Sequence, residues 1–222
     1  MCFSASASFA AAAFTGAAGT TAAVRCGTLK EAPLAVIPFI FALQQAIEGV
    51  LWLNMVPGAD RAFVPALATI FLTVALGIWP LWAPLAIGLV EPVAGRRVLM
   101  QGLLAAGAAV AAYGAWLVYQ HPYTVAVTPA GLCYVNDKAY SNFVLAAYAV
   151  CACLPAILSS HRALRLFGVA VTAGMIVAMV SHYVSFVSVW CFFAALSSMA
   201  IVGYFLYPAR AASKEHHALP AQ

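Results

Sequence analysis

The sequence predicts an all-α integral membrane protein, a single seven-helix domain with its N-terminus outside and its C-terminus in the cytoplasm. Three observations predict it. Of the 222 residues, 65% are hydrophobic and only 7% are charged, whereas a soluble domain carries about 25% charged residues. Ten Lys and Arg with six Asp and Glu cannot wet the surface of a body this size. Apolar stretches long enough to cross about 30 Å of hydrocarbon, which takes about 20 residues, recur along the whole chain, and the basic residues fall on alternate loops.

In order, the spans are Ser4 to Val24, Leu34 to Leu53, Phe63 to Val90, Val98 to Tyr119, Asn142 to Ser159, Leu166 to Phe186 and Val189 to Tyr207. The third is overlong and contains Pro65, Pro80 and Pro84, so a kink or tilt is expected. The sixth and seventh are joined by a very tight turn. Arg25, Lys30, Arg96, Arg97, Arg162, Arg165, Arg210 and Lys214 fall on one side and only Arg61 and Lys138 on the other; short cytoplasmic loops keep Lys and Arg, which sets the direction. The first span carries its positive charge after the apolar run, unlike a cleavable signal, and is expected to be retained. The small-residue runs of the first and fourth spans suit close helix approach, which predicts that these two lie inside the bundle. The second, third and seventh, with large apolar residues all round, are expected to face lipid. The tail from residue 207 is cytoplasmic, and the arginine pairs 96–97 and 162/165 are expected at anionic lipid headgroups.

The longest connection, residues 121–141, contains two alternating runs, YTVAV and LCYV, around Thr128-Pro129-Ala130-Gly131, a turn with Pro second and Gly fourth. A short extracellular β-hairpin follows, placed either as a lid over the bundle or as a plain tie between two helices.

At 1.5 Å per residue, Glu48 lies about 8 Å below the outer end of the second helix and is the one acid well inside a span. His182 lies at similar depth in the sixth. Ionisable groups within a span mark functional sites unless they are paired for structural reasons. Gln45, Glu48 and Trp52 share a helix face with Gln44 beside it; Ser4 and Cys2 lie at the outer start of the first helix, Asn142 at the start of the fifth, and Trp190 and Cys191 at the start of the seventh. Two readings stay open: an outward-facing pocket around Glu48 and His182, with Gln45 and Asn142 as hydrogen-bond partners and Trp52 and Trp190 as walls, or an interhelical hydrogen-bond clamp with no ligand.

Met175, Met179 and His182 follow at spacings of four and three, and with Cys191 they form a candidate soft-metal set, against the plainer reading of methionine as packing. Cys2 is a candidate nucleophile, or a disulfide partner of Cys133. No nucleic-acid surface is present, since no basic cluster alternates with aromatics. No lysine lies within a span to carry a retinal Schiff base, and no phosphate loop, HExxH pair or GxSxG elbow occurs. The sequence names no cofactor and leaves the oligomeric state open.

The strings MCFSASASF, QQAIEGVLW, IWPLWAP, EPVAGRR and SVWCFFAAL resemble a family of small bacterial seven-helix membrane proteins that begin MCFSA and have no assigned function. The resemblance implies a seven-helix membrane protein, and the expected location is the bacterial inner (plasma) membrane. It includes Cys2, Ser4, Gln45, Glu48, Trp52, Trp190 and Cys191 but not His182. The expected function is binding of a small ligand, an ion or a proton for sensing or transport. The alternatives are a membrane enzyme on a lipid-like substrate, using Cys2, Glu48 and His182, and an assembly subunit of a membrane complex.

Overall fold

The structure, a computed structural model, describes residues 4–129, 131–138 and 141–207. Among these residues six helices are long and apolar enough to cross a membrane: α1 (Ala5–Arg25), α2 (Ala32–Asn54), α3 (Val64–Val90), α4 (Ala94–Gln120), α6 (Arg162–Ser181) and α7 (Tyr183–Leu206). A shorter apolar helix, α5 (Asn142–Leu158), stands between α4 and α6 in the chain. Strands β1 (Thr124–Val127) and β2 (Leu132–Val135) form an antiparallel hairpin in which Thr124 faces Val135 and Val127 faces Leu132.

Local chemistry sets several element ends. Ser4 precedes α1 and accepts the Ala7 N–H at 3.3 Å, and Ser141 does the same for Val144 before α5. Within the helices, hydroxyls return to the carbonyl one turn back: Thr15 to Ala11 at 2.7 Å, Thr21 to Ala17 at 2.9 Å, Thr172 to Gly168 at 2.8 Å. A hydroxyl satisfied inside its own helix can face lipid at little cost.

The expected irregularity of α3 takes a specific form. Thr73–Ile78 wind as a π-helix between two α-helical stretches. Pro80 explains it: a proline ring clashes with the carbonyl four residues back, and widening the preceding turn relieves that clash. In the wider pattern the next donor onto the Ala75 carbonyl would be residue 80, which has no N–H. The Tyr148 hydroxyl of α5 donates to that carbonyl instead, at 2.5 Å.

Packing reverses one expectation. The small-residue helices α1 and α4 are among the least enclosed, with 33% and 28% of their spanning windows buried, against 61% for α2 and 56% for α3. Small side chains allow approach on one face and leave the other to lipid, whereas bulky ones fill the centre. A Cβ on Gly107 of α4 would lie 1.9 Å from the Pro80 carbonyl oxygen, so that crossing requires glycine. The core itself is aliphatic and aromatic, with Leu34, Ile37, Ile87, Leu164 and Ile201 fully buried and Phe41 stacked on Trp79 at 4.0 Å.

The joint between α6 and α7 also differs from the expected one. His182, expected inside a span, is the joint itself, with φ −141° and ψ 42°, and Tyr183–Ser185 then turn as a 3-10 helix into α7. Tyr183 is three-quarters exposed, and α6 ends at Ser181, five residues before the expected Phe186.

The two ends of the bundle are closed differently. At one end the hairpin turn is held by the Thr128 N–H donating to Gly131 O at 2.9 Å, and Thr128 Oγ1 meets Ser185 Oγ at 2.7 Å. Leu132 is fully buried and Tyr134 stacks on Phe71 at 5.0 Å, so the hairpin is packed onto α3 and α7 and covers this end of the bundle. At the other end, buried Glu91, just after α3, accepts hydrogen bonds from the Ser160 N–H at 2.8 Å, the Val93 N–H at 3.3 Å and the hydroxyls of Ser159 and Ser160. Arg97 donates to the Glu91 carbonyl, Arg96 to Ser160 Oγ at 2.9 Å and Arg165 to the carbonyls of Ser159 and Ser160. Of the arginines expected at headgroups, Arg96 thus ties the α3–α4 connection to the α5–α6 connection, while Arg97 and Arg165 each brace their own.

Candidate functional site

Glu48 sits six residues before the end of α2 and is 1% exposed. Its 3.6-residue periodicity puts Gln45 on the same face one turn back, and Gln45 Nε2 donates to Glu48 Oε2 at 3.1 Å. The other carboxylate oxygen accepts the Ser188 hydroxyl from α7. One turn further down α2, Gln44 bridges two helices: Trp79 Nε1 of α3 donates to its carbonyl oxygen at 3.3 Å, and its amide donates to Cys191 Sγ of α7 at 3.2 Å. The buried chain Trp79–Gln44–Cys191 and the trio Gln45–Glu48–Ser188 thus join α2, α3 and α7.

Three buried polar atoms around this cluster have no hydrogen-bond partner among the described residues: Gln45 Oε1, Trp52 Nε1 and the Tyr134 hydroxyl. Burial, with the Glu48 carboxyl and Cys191 thiol nearby, holds the Tyr134 phenol well above its ordinary value, so it stays a neutral donor. Asn136 Nδ2, further along the chain, is buried and unpartnered as well. Burial also raises the Tyr123 phenol to about 12 against the lowering effect of Asn136 beside it. An unpaired buried donor or acceptor costs about 1–3 kcal/mol, and of these four residues Tyr134 and Asn136 line a cavity while Gln45 and Trp52 do not.

This cavity of about 310 Å³ opens beneath the hairpin, with Tyr134, Asn136 and Lys138 on the hairpin side, the π-segment residues Ala75 and Leu76 on another, and Tyr148, Trp190 and Cys191 at its floor. Tyr148 packs edge-on against Trp190 at 5.5 Å, and Trp190 Nε1 donates to Val171 O at 3.1 Å, which fixes both rings. Tyr148, Trp190 and Cys191 also border a smaller apolar void of about 30 Å³ deeper in the bundle.

The structure brings together part of the expected set. Gln45 is beside Glu48 as the spacing implied, and Trp190 is a wall. The expected Glu48–His182 pair is absent, because Gln45 and Ser188 take both carboxylate oxygens and His182 occupies the α6–α7 joint. Asn142 is no partner of Glu48 either; it is the exposed first residue of α5. Trp52 packs against the apolar cluster around Leu51 and Phe71 rather than lining the cavity. Ser4 serves as the cap of α1. Cys2, with its proposed disulfide to Cys133, lies outside the described residues. Of the soft-metal set, Met175 packs against the apolar core while Met179 and Cys191 line the cavity. Among the described residues no three His, Cys, Asp or Glu side chains gather where they could hold a metal ion.

Sequence reasoning missed Ser188, Tyr134, Asn136 and Tyr148. Ser188 carried a signal, since it precedes Trp190 and Cys191 by less than one turn at the expected depth. Tyr134 was legible as the inward position of LCYV once a lid was considered.

No curated protein and no solved structure matches the chain. Residues 1–217 match a family model of unknown function, so the chain belongs to the family DUF6629.

Proposed function

We propose that this protein binds a small molecule within the membrane, for sensing or transport, in the cavity under the β-hairpin. The observation that carries this reading is the cavity of about 310 Å³, whose lining includes Tyr134 and Asn136, each with a buried polar atom that has no partner among the described residues; sites for small ligands are concave, mostly apolar and furnished with a few placed polar groups. Glu48 does not line the cavity. It acts from behind, holding α2 to α7 through Ser188 and so keeping Cys191 and Trp190 in place. In this reading the seven apolar helices all span a bacterial inner membrane, the hairpin faces outside and the arginine-rich end faces the cytoplasm. The excess of Lys and Arg on alternate connections supports that direction.

The test is native mass spectrometry of gently extracted protein beside the variant Leu145→Trp, which fills the cavity from α5. A small-molecule adduct on the wild type that disappears in the variant is the expected result. A wild type free of adducts, with a melting temperature unchanged by filling the cavity, would overturn the reading.

A further inference from the structure

We infer that the cavity takes a small amphiphile with a carboxylate head, held head-outward by Lys138 and Asn136, with its apolar tail running inward along Leu76 and Tyr148 to Trp190. The inference rests on the binding function proposed above and names the ligand class.

Four of the residues that line the cavity from the hairpin side stand at every second position, Leu132, Tyr134, Asn136 and Lys138, with Val135 between them also at the wall. Strand alternation puts Leu132 and Tyr134 on one face of β2, and Asn136 and Lys138 continue along the cavity wall beyond the strand's end. Along these four polarity rises steadily. Leu132 is fully buried, Tyr134 and Asn136 are half-buried, and Lys138 is exposed. Both side chains at the open end are donors. The Asn136 amide nitrogen is buried with no partner, and the Lys138 ammonium has no carboxylate partner among the described residues. Asp137, the adjacent acid, is engaged by His121 at 3.0 Å, and no Asp or Glu lines the cavity. A cation and an amide donor at the mouth of an otherwise apolar space select an oxyanion over a neutral or cationic head.

The deep end selects against the same group. Its walls are Leu72, Ala75, Leu76, Tyr148 and Trp190, and the carboxyl of Glu48 stands behind Tyr134 and Cys191, close enough to act on both electrostatically. An anion inserted head-first would be desolvated, unpaired and beside a second carboxyl, which is costly; an alkyl chain there replaces nothing polar. The volume of about 310 Å³ has room for about ten water-sized groups, which suits a chain of about eight to ten carbons with its head at the rim.

The test uses brominated probes on the full-length protein in phosphatidylcholine nanodiscs, since bromine quenches tryptophan on contact and Trp190 is at the tail end. Saturable quenching by 10-bromodecanoate, lost in Trp190→Phe and competed by decanoate, is the expected result, with 2-bromodecanoate quenching less because its bromine stays at the rim. Lys138→Gln, a surface change, should weaken 10-bromodecanoate about tenfold, as loss of a charged hydrogen bond implies, and leave 10-bromodecan-1-ol within about twofold. Asn136→Leu should weaken the acid in the same direction. Equal affinity for acid and alcohol, unaffected by Lys138→Gln, would overturn the carboxylate class and leave the binding function standing. Stronger quenching by 2-bromodecanoate would overturn the orientation. Saturable quenching by neither acid nor alcohol would overturn both this inference and the function beneath it.

Discussion

Ser188 of α7 donates its hydroxyl to one carboxylate oxygen of Glu48 on α2, while Gln45 donates to the other at 3.1 Å. Helices otherwise held by apolar packing are thereby joined through a charge-bearing side chain that is 1% exposed. Hydrogen bonds between membrane helices contribute about 0.6–2 kcal/mol, and an orphaned buried partner costs about 1–3 kcal/mol. Ser188→Ala should therefore lower stability by about 1–2 kcal/mol. Glu48→Leu should cost more, because it orphans both Ser188 and Gln45. Glu48→Gln should cost less, since the new amide still accepts from Ser188 and Gln45 has a free Oε1 to receive its N–H. Denaturant or thermal unfolding in one detergent gives the order, and a Ser188→Ala protein as stable as wild type would contradict it.

The α3–α4 crossing predicts a contrast between two glycines of one helix. A Cβ on Gly107 would lie 1.9 Å from the Pro80 carbonyl oxygen, and one on Gly102 meets nothing within 4 Å. Gly107→Ala must push backbone against backbone and should destabilise by about 1–3 kcal/mol. Gly102→Ala should be neutral or stabilising, by up to about 1 kcal/mol from helix propensity. Melting temperatures of the two variants decide it.

Tyr148→Phe removes the one hydroxyl donated to the Ala75 carbonyl. With residue 80 a proline, the π pattern supplies no N–H to replace it, and the π-segment should loosen. Faster deuterium uptake in peptides spanning residues 73–79, with helical content unchanged, is the expected signature; identical uptake would show that the segment holds without Tyr148.

Glu91 predicts an acid-sensitive end. Burial alone would push its carboxyl up, but hydrogen bonds from the Ser160 side chain and N–H and the Val93 N–H, with the Arg96 charge, outweigh it and hold the carboxyl below its ordinary value. A group depressed on folding stabilises the fold fully above its unfolded value of about 4.3 and loses that contribution as pH falls through the lower folded value. Wild-type melting temperature should thus fall as pH drops below about 4.3, and Glu91→Gln should melt lower at neutral pH and show a shallower decline. Parallel melting curves for the two proteins across that range would refute the assignment.

Much of the fold was legible in the sequence because lipid imposes simple lengths. Apolar runs and the alternation around Thr128–Gly131 marked α1, α5 and the hairpin close to where they stand. What the sequence concealed was which face each helix turns inward. Small residues in α1 and α4 were a true sign of close approach yet a poor guide to depth, since Gly107 needs contact on one side only. The Gln45–Glu48 pair was readable from i,i+3 spacing within one helix. Its partner Ser188 lies 140 positions away, and no local pattern encodes such a pairing. His182 misled because hydropathy averages over a window and does not register a single residue at which the backbone turns.

The joint at His182 also couples two parts of the molecule. Ser181 ends one helix and Tyr183 begins the next, so a single residue joins α6 to α7. With so short a link the two helices have little freedom to shift independently at that end, and a displacement of α6 at Ser181 is passed to Ser185 and so to the hairpin turn that Ser185 meets through Thr128.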